Sequence, residues 1–239
     1  MVEKDKKKVA ILQSNYIPWK GYFDIINSVD EFIIYDDVQY TRRDWRNRNK
    51  IKTPSGTIWL NIPVQVSGKF FQSIKETKVV GCKWTKKHWE SIKRNYSKAK
   101  YFKDYKGIFE GIYLKEAVQY KYLSDINYLF IKTINGLLDI NTKISWSSDY
   151  VLEGDKTEKL VNLCKQANST EYFSGPAGKN YIEEEFFNNT KIQLTWMNYS
   201  NYPEYQQLFP PFEHSVTILD LIFNCGPTLI KYMKSFKQV

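Results

Sequence analysis

Several residue types are scarce in this chain of 239 residues, and each shortage argues against a class of protein. The three cysteines, Cys82, Cys164 and Cys225, are odd in number and widely spaced, which argues against a disulfide scaffold and indicates reduced thiols. Because the chain has only two histidines besides, a Cys/His zinc site has few ligands, and we expect no metal. The eleven glycines form neither G-x-G-x-x-G nor G-x-x-x-x-G-K-[ST], so both standard phosphate-binding loops are missing.

Long apolar runs are missing as well. No stretch approaches the roughly 18 apolar residues that a membrane-spanning helix needs. The run Val9–Leu12 is too short for a signal-peptide core, and no small-residue cleavage site follows it. We therefore expect a cytoplasmic protein without membrane insertion. A hydrophobic content of 42% with 16% aromatic residues predicts a packed core. We expect a single domain over residues 1–239, with a disordered basic tail at residues 1–8.

Positive charge is abundant but unevenly distributed. The formal net charge is +9, yet residues 1–120 hold 24 basic and 13 acidic residues, whereas residues 121–239 hold 11 and 13. Only five basic residues are arginines, and four of these lie between Arg42 and Arg48. Because arginine binds carboxylates and phosphates through a planar fork, this cluster indicates a small anionic ligand. The acidic second half argues against a nucleic-acid groove.

The hydrophobic pattern predicts an α/β fold with a mixed sheet, a Rossmann-like βαβ start and a helix-rich middle and C-terminal part. Strands over Val9–Gln13 and Glu31–Tyr35 enclose a helix over Tyr22–Ser28, so the two strands are expected to be parallel. The further strands are predicted over Thr57–Val64, Ser73–Val80, Glu171–Phe173 and Ile192–Met197. The further helices are predicted over Trp84–Ala99, Tyr113–Leu138, Leu160–Ala167, Val216–Asn224 and Pro227–Phe236, with another ending at Phe187.

Polar and aromatic side chains follow the first strand, where a parallel sheet binds its ligands. The turn and helix start over residues 13–22 offer amides for orientation, aromatic faces for a ring and a helix N-terminus for an anion. The candidate substrate-binding residues are Gln13, Asn15, Tyr16, Trp19 and Tyr22. The alternative is a structural turn whose aromatic residues belong to the core.

A carboxylate pair and an arginine-rich loop follow the second strand. Asp36 and Asp37 could share a proton, hold a metal or supply a base, and the loop after them could clamp phosphates. The candidate binding residues of the loop are Arg42, Arg43, Trp45, Asn47, Arg48 and Asn49. The alternative is a solvated loop whose arginines neutralise the aspartates.

His88 is the third candidate for catalysis, beside Asp36 and Asp37. It lies four residues after Trp84 on a predicted helix, so both side chains share a face. Imidazole is the natural base near neutral pH, although a lone histidine on a helix is more often structural.

These motifs resemble those of the WbqC-like proteins. They occur in the same order and cover nearly the whole chain. Many members carry His-Gln-Pro-x-Tyr at the first motif, whereas Leu12 precedes Gln13 and Ser14 replaces the proline here, so that histidine is not available for catalysis. The matching segments are Gln13-Ser-Asn-Tyr-Ile-Pro-Trp-Lys-Gly-Tyr-Phe, Asp36-Asp-Val-Gln-Tyr, Trp45-Arg-Asn-Arg-Asn, Trp84…His88, Tyr172-Phe-Ser-Gly-Pro-Ala and Ser215…Gly226.

The resemblance implies a role in the biosynthesis of O-antigen or another bacterial surface glycan. It implies transfer of an acyl or aminoacyl group, glycine being one suggestion, to an amino sugar or a nucleotide-linked sugar. The donor would be coenzyme A, the pantetheine of an acyl carrier protein or a similar carrier, with no permanently bound cofactor. In such a reaction His88 or an aspartate would be the base. Gln13, Asn15 and Asn47 would orient the substrate, and Arg42, Arg43 and Arg48 would bind the phosphates.

Two other functions stay open at this level. The strand–turn–helix–strand layout is also similar to the start of adenylating nucleotidyltransferases, but the H-x-G-H-like motif of those enzymes is missing. A non-catalytic module for an anionic ligand or nucleic acid would use the basic first half. The two aspartates beside the arginines would repel a phosphate backbone, so we expect no nucleic-acid partner.

Overall fold

Five parallel strands form the centre of the molecule in a computed structural model that describes residues 6–236. In chain order they are β1 (Lys8–Leu12), β2 (Glu31–Ile34), β5 (Lys143–Trp146), β6 (Glu171–Ser174) and β7 (Gln193–Trp196). A separate antiparallel hairpin consists of β3 (Arg48–Thr53) and β4 (Gly56–Asn61). The predicted mixed α/β class is confirmed, and so is the βαβ start, because α1 (Lys20–Asn27) joins β1 to its parallel neighbour β2.

The order of the strands locates the edge where ligands bind. The sheet runs β5-β2-β1-β6-β7, so the chain leaves β1 towards one side and leaves β6 towards the other. Counted along the chain, this order is 3-2-1-4-5, as in the first five strands of a Rossmann sheet. Ligands of such sheets bind outside the carboxyl ends of the strands, at the point between β1 and β6 where the direction reverses.

Helices cover both faces of the sheet, as side-chain alternation along its strands requires. Ala10, Phe32 and Ile34 face the larger core, whereas Val9 and Ile33 face a smaller core on the opposite side of the sheet. The remaining helices are α2 (Lys83–Tyr96), α3 (Phe102–Gly111), α4 (Leu123–Leu137), α5 (Lys156–Gln166), α6 (Glu184–Asn188) and α7 (Ile218–Cys225). A capping box begins α5, where the Asp155 side chain accepts from the backbone N–H groups of Thr157 and Glu158.

The basic segment over residues 41–52, which follows β2 and is predicted as an arginine-rich loop, is more ordered than that prediction. Its second half is β3, in which Asn49 and Ile51 are buried while Arg48 and Lys50 lie over the Trp59 ring of β4. The alternation of β3 was missed because the residues of its more exposed face, Arg48 and Lys50, are basic, and only the buried residues between them show the period of two. The tail predicted over residues 1–8 does not include Lys8, which opens β1, and residues 1–5 lie outside the described residues.

Three predicted elements are wrong in type or extent. Residues 73–80 form isolated bridges instead of a strand, because Ser73 and Glu76 close a tight turn between themselves. The helix predicted over Tyr113–Leu138 is interrupted. Residues 112–116 form a π-helix and residues 117–119 a 3-10 helix, and α4 begins only at Leu123, because Lys121 and Tyr122 pair with the extended chain at residues 78–79. Residues 226–232 form a 3-10 helix, shorter than the closing helix predicted there. The prediction also missed α3 and β5.

Candidate functional site

The turn after β1 is held in an uncommon backbone conformation. Ile17 has a φ of 40°, in the left-handed region that β-branched residues rarely adopt. Asn49 of β3 stabilises this turn, because its Nδ2 donates to the carbonyl oxygens of Tyr16 at 3.1 Å and Ile17 at 2.6 Å. Strained backbone of this kind concentrates at functional sites, where the surrounding structure enforces it.

A cleft with a volume of about 250 Å³ opens beside this turn at the carboxyl end of β1. Its walls are mostly apolar, with a few polar groups converging on them, which is the usual composition of a small-molecule site. The residues that line the cleft are Asn15, Pro18, Trp19, Trp45, Asn49, His214 and Ser215. The C-terminal segment reaches the cleft because Thr217 and Ile218 donate their backbone N–H groups to Lys50 and Pro18.

The Trp19 indole forms one wall and depends on a neighbouring glycine. A Cβ atom at Gly21 would lie only 2.3 Å from Cζ2 of Trp19, so the ring folds back over the first turn of α1 only because residue 21 has no side chain. Tyr199 and Tyr202 pack edge-on against the indole, with ring centroids 5.2 and 5.5 Å away. Trp45, in the segment between β2 and β3, is 39% exposed and supplies a second indole to the cleft.

Arg46 carries a largely buried positive charge behind the cleft. Its Nη1 donates to the side chain of Asn15 and, at 3.4 Å, to the carbonyl oxygens of Gln13 and Ser14. Its carboxylate partner is Asp44, whose oxygen lies 3.6 Å from Nη2. The guanidinium therefore fixes the amide of Asn15, while its charge is balanced in part by the carboxylate of Asp44.

Unpaired polar atoms concentrate next to the same arginine. Among the described residues, six buried side-chain atoms lack a hydrogen-bond partner. Three of these belong to consecutive residues: Nε of Arg46, Oδ1 of Asn47 and Nε of Arg48. Asn127 adds a fourth, and its Nδ2 donates to the backbone oxygen of Arg46. Because buried polar groups are normally paired, this concentration marks the arginine segment as unusual for a purely structural loop.

His214 is an exposed imidazole on the rim of the cleft. Phe212 packs edge-on against it at 4.6 Å, and within residues 6–236 neither ring nitrogen is hydrogen-bonded. Partial burial and the nearby Lys20 ammonium lower the pKa of His214, although Glu204 and Glu213 oppose this. The ring is therefore mostly neutral at pH 7 and has a free nitrogen to accept a proton.

His88 lies in a different environment. Its Nε2 donates to the carbonyl oxygen of Asn61 at 3.1 Å, so Nδ1 accepts from the Tyr16 hydroxyl at 2.8 Å. That hydroxyl is also 2.6 Å from the hydroxyl of Tyr113. Burial lowers the pKa of His88 to about 4. The hydrogen-bonding groups of His88 and Tyr16 are thus paired inside the protein, and neither residue lines the cleft. Trp84 and His88 lie on the same face of α2, as predicted, with ring centroids 5.2 Å apart.

Asp36 and Asp37 do not act as a pair, because their carboxylates bind different partners. Asp36 is buried and accepts from the Ser14 N–H at 2.8 Å, from the Ser14 hydroxyl at 2.6 Å and from the Ser124 hydroxyl. Burial raises the pKa of Asp36, although these hydrogen bonds oppose the shift. Asp37 accepts from the Ser147 hydroxyl at 2.5 Å and pairs with Lys75. A shared proton between the two carboxylates has no support in this geometry.

The relationship to known proteins agrees with the motifs. The sequence model of the WbqC-like protein family matches residues 13–232. The chain belongs to the WbqC-like protein family. This WbqC-like protein is 50% identical over 232 residues to a protein of Mycobacterium tuberculosis named "Uncharacterized protein Rv1507c", which covers 97% of this chain and 100% of the relative. No solved structure matches the chain.

The remaining predicted residues of the WbqC-like protein are divided between the cleft and its surroundings. Tyr22 is buried and donates its hydroxyl to the carbonyl oxygen of Gln13 at 3.0 Å, so it supports the turn. Asn47 donates to Ile62 at 2.8 Å. Arg42 donates to the backbone oxygen of Val66, away from the cleft lining. Arg43 and Arg48 contact each other through the Arg43 carbonyl, also outside that lining.

Besides Pro18 of the turn, three residues at or behind the cleft of the WbqC-like protein were missed as site candidates. Arg46 stood in the arginine cluster, but nothing in the spacing distinguished it from the exposed arginines beside it. His214 and Ser215 come from a segment more than 160 residues away from the other lining residues. Their proximity to Pro18 depends on the backbone hydrogen bond from Ile218 to Pro18, which cannot be predicted from the sequence alone.

The residues that the structure describes contain no helix that is both long and apolar enough to cross a membrane. Within the same residues, no three His, Cys, Asp or Glu side chains group into a possible metal site.

Proposed function

We propose that this WbqC-like protein transfers an acyl or aminoacyl group, glycine being one candidate, to the amine of a nucleotide-linked amino sugar used for bacterial surface polysaccharide such as O-antigen. The observation that carries the proposal is the convergence of a free neutral imidazole with two indoles and an arginine-held amide in one cleft. The membership of the chain in the WbqC-like protein family agrees with this proposal.

His214 takes the role of general base that the sequence analysis gave to His88, Asp36 or Asp37. The amine nitrogen attacks the carbonyl carbon of the activated acyl group, and the imidazole accepts a proton from that nitrogen. The tetrahedral intermediate then expels the thiol of coenzyme A or carrier-protein pantetheine, which takes up the proton from His214. His214 suits this step because its lowered pKa keeps the acceptor nitrogen free near neutral pH.

The other lining groups suit the acceptor. Trp19 and Trp45 provide apolar faces that pack against a sugar ring or a nucleobase. The amide of Asn15, fixed by Arg46, is placed to orient a polar group of the ligand. The nucleotide part of the substrate would lie at the carboxyl edge of β1, where sheets of this strand order bind nucleotides.

The test is a direct assay. Purified protein is incubated with acyl or aminoacyl thioesters and a panel of nucleotide-linked amino sugars, and acylated product is detected by mass spectrometry. We expect His214→Ala to lower kcat by about 100-fold or more, since general base catalysis contributes roughly 10²–10⁴. Product formation at the wild-type rate by His214→Ala would remove His214 from the base role.

A matched pair of tryptophans tests binding in the cleft. Trp45 and Trp59 are 39% and 38% exposed and pack against each other at 5.3 Å, but only Trp45 lines the cleft. We expect Trp45→Ala to raise KM about tenfold or more, because stacking is lost. Trp59→Ala should raise it much less; equal effects would contradict the assignment of the cleft as the acceptor site.

The strand order 3-2-1-4-5 supports one other candidate function, an adenylating reaction. Such an enzyme would exchange labelled pyrophosphate into ATP in the presence of a carboxylic acid substrate. We expect no exchange, because the acyl group arrives already activated. Substrate-dependent exchange would favour adenylation over simple transfer.

A further inference from the structure

The loop at residues 66–72 presents two phenylalanines to solvent. Phe70 is 71% and Phe71 is 85% exposed, the highest values among the large hydrophobic side chains that the structure describes. Their rings pack edge-to-face, with centroids 5.0 Å apart. Adjacent phenylalanines at such exposure are costly in water, and they indicate a surface that is covered in function.

The loop is held in a defined conformation. Gln39 donates its Nε2 to the Phe70 carbonyl oxygen at 2.8 Å, and Gln72 donates to the Gln65 carbonyl oxygen at 2.7 Å. Arg42 donates to the carbonyl oxygen of Val66 at 3.1 Å. These contacts attach the loop to the segment after β2 and aim both rings outward together.

The surroundings of the two rings are basic. Lys69 is exposed directly beside them, and Arg42 lies against the base of the loop. Lys78 is exposed on the chain that leaves the loop, whereas the exposed Lys75 pairs with Asp37. The acidic residue of that stretch, Glu76, is exposed too, and it accepts from the N–H and the hydroxyl of Ser73. Arg42, Lys69 and Lys78 leave the surroundings of the rings basic.

We propose that the Phe70–Phe71 loop docks the protein on the surface of an anionic lipid membrane. Apolar rings within a basic rim match the acyl boundary and the negative headgroups of such a surface. A protein partner fits less well, because two side chains at a loop tip cover far less than the roughly 800 Å² per partner of a standard interface. Docking by a loop tip needs no membrane-spanning segment and does not depend on the proposed transfer reaction.

Docking would bring one edge of the sheet to the membrane. The loop returns to the carboxyl end of β2, where Lys75 donates its N–H to the Asp36 carbonyl oxygen at 3.0 Å and Ile74 donates to Val38 at 3.0 Å. This is the edge at which β1 leads into the cleft, so substrates near a lipid surface would meet the site there.

The test is sedimentation of the full-length protein with vesicles of phosphatidylcholine alone or mixed with phosphatidylglycerol. We expect binding to the mixed vesicles, weakened by added salt, and about tenfold or more weaker binding of Phe70→Ser/Phe71→Ser. The control Val151→Ser, at a residue 59% exposed elsewhere, should bind like the wild type. Lys69→Glu should also weaken binding.

Three outcomes would overturn the proposal. The first is that the wild type does not bind mixed vesicles. The second is that the double serine variant binds as well as the wild type and has unchanged thermal stability. The third is that the wild type dimerises, that the double serine variant does not, and that neither protein binds vesicles. The last outcome would assign the loop to a second copy of the chain.

Discussion

The cleft and the buried polar cluster behind it use similar residues in opposite ways. We define the buried polar cluster as Ser14, Tyr16, Asp36, His88, Tyr113, Ser124 and Asn127. Each region contains one of the two histidines of the chain. His88 has both ring nitrogens bonded inside the protein, whereas His214 has a free ring on the surface of the cleft.

This difference shows that two residues of the same type can differ in how far their hydrogen-bonding capacity is used inside the protein. The hydrogen bonds of His88 and Asp36 join β1 and β2 to α2 and α4, so their bonding capacity is used in holding elements together. His214 joins no elements through its ring and keeps its capacity for a ligand. The comparison predicts that substitutions in the buried polar cluster have large effects on stability and that substitutions in the cleft have small ones.

The largest stability effect is expected at Asp36. Asp36→Ala leaves the Ser14 N–H and two hydroxyls without their acceptor in a buried place, which should lower the free energy of unfolding by about 3 kcal/mol. Asp37→Ala is the matched control. It removes one hydroxyl contact and an ion pair to a half-exposed lysine, with a loss of about 1 kcal/mol. Urea unfolding measures both; equal losses would contradict the separation of the two carboxylates.

The second effect is a pH dependence of stability caused by His88. Its pKa is about 4 in the folded protein against 6.5 when unfolded, so the unfolded chain binds the extra proton between these values. This contribution is fully present above pH 6.5 and is lost as the pH falls towards 4, about 2 kcal/mol between pH 7 and pH 5. His88→Gln should remove that part of the slope in urea unfolding curves. An unchanged slope would mean that another group causes it.

The sequence predicted the fold and the edge of the site better than the site itself. Alternating and continuous apolar patterns located β1, β2, β6 and β7, and the strand–helix–strand order placed residues 13–15 at the correct end of the sheet. It could not separate Arg46 from Arg42, because both have the same chemistry and only tertiary contacts bury one of them.

The two histidines show the same limit. Their local patterns predicted a helix face for His88, which is correct, but solvent access follows from contacts with Asn61, Tyr113 and α7 that are remote in sequence. A single sequence therefore indicates which groups are able to do chemistry and leaves open which of them are free to do it.

The third effect tests how the cleft wall is built. Gly21→Ala should lower the free energy of unfolding by about 1–2 kcal/mol, because the added methyl displaces the Trp19 indole. Gly107→Ala is the control on α3, where nothing lies within 4 Å of an added Cβ, and it should stabilise the protein by about 0.5–1 kcal/mol through helix propensity. Tryptophan fluorescence should shift for the first variant only. Stabilisation by both variants would show that the Trp19 ring is not confined.

The smallest stability effect is expected at His214. The ring contacts Phe212 at its edge and bonds to nothing else within residues 6–236, so His214→Gln should change the free energy of unfolding by no more than about 0.5 kcal/mol. Urea unfolding at pH 7 compares it with His88→Gln, which loses two buried hydrogen bonds and should be destabilised by about 2 kcal/mol. If His214→Gln were as destabilised as His88→Gln, the free imidazole of the cleft would be a structural group like its buried counterpart. A stable His214→Gln protein that has lost transfer would instead separate function from folding at this one residue.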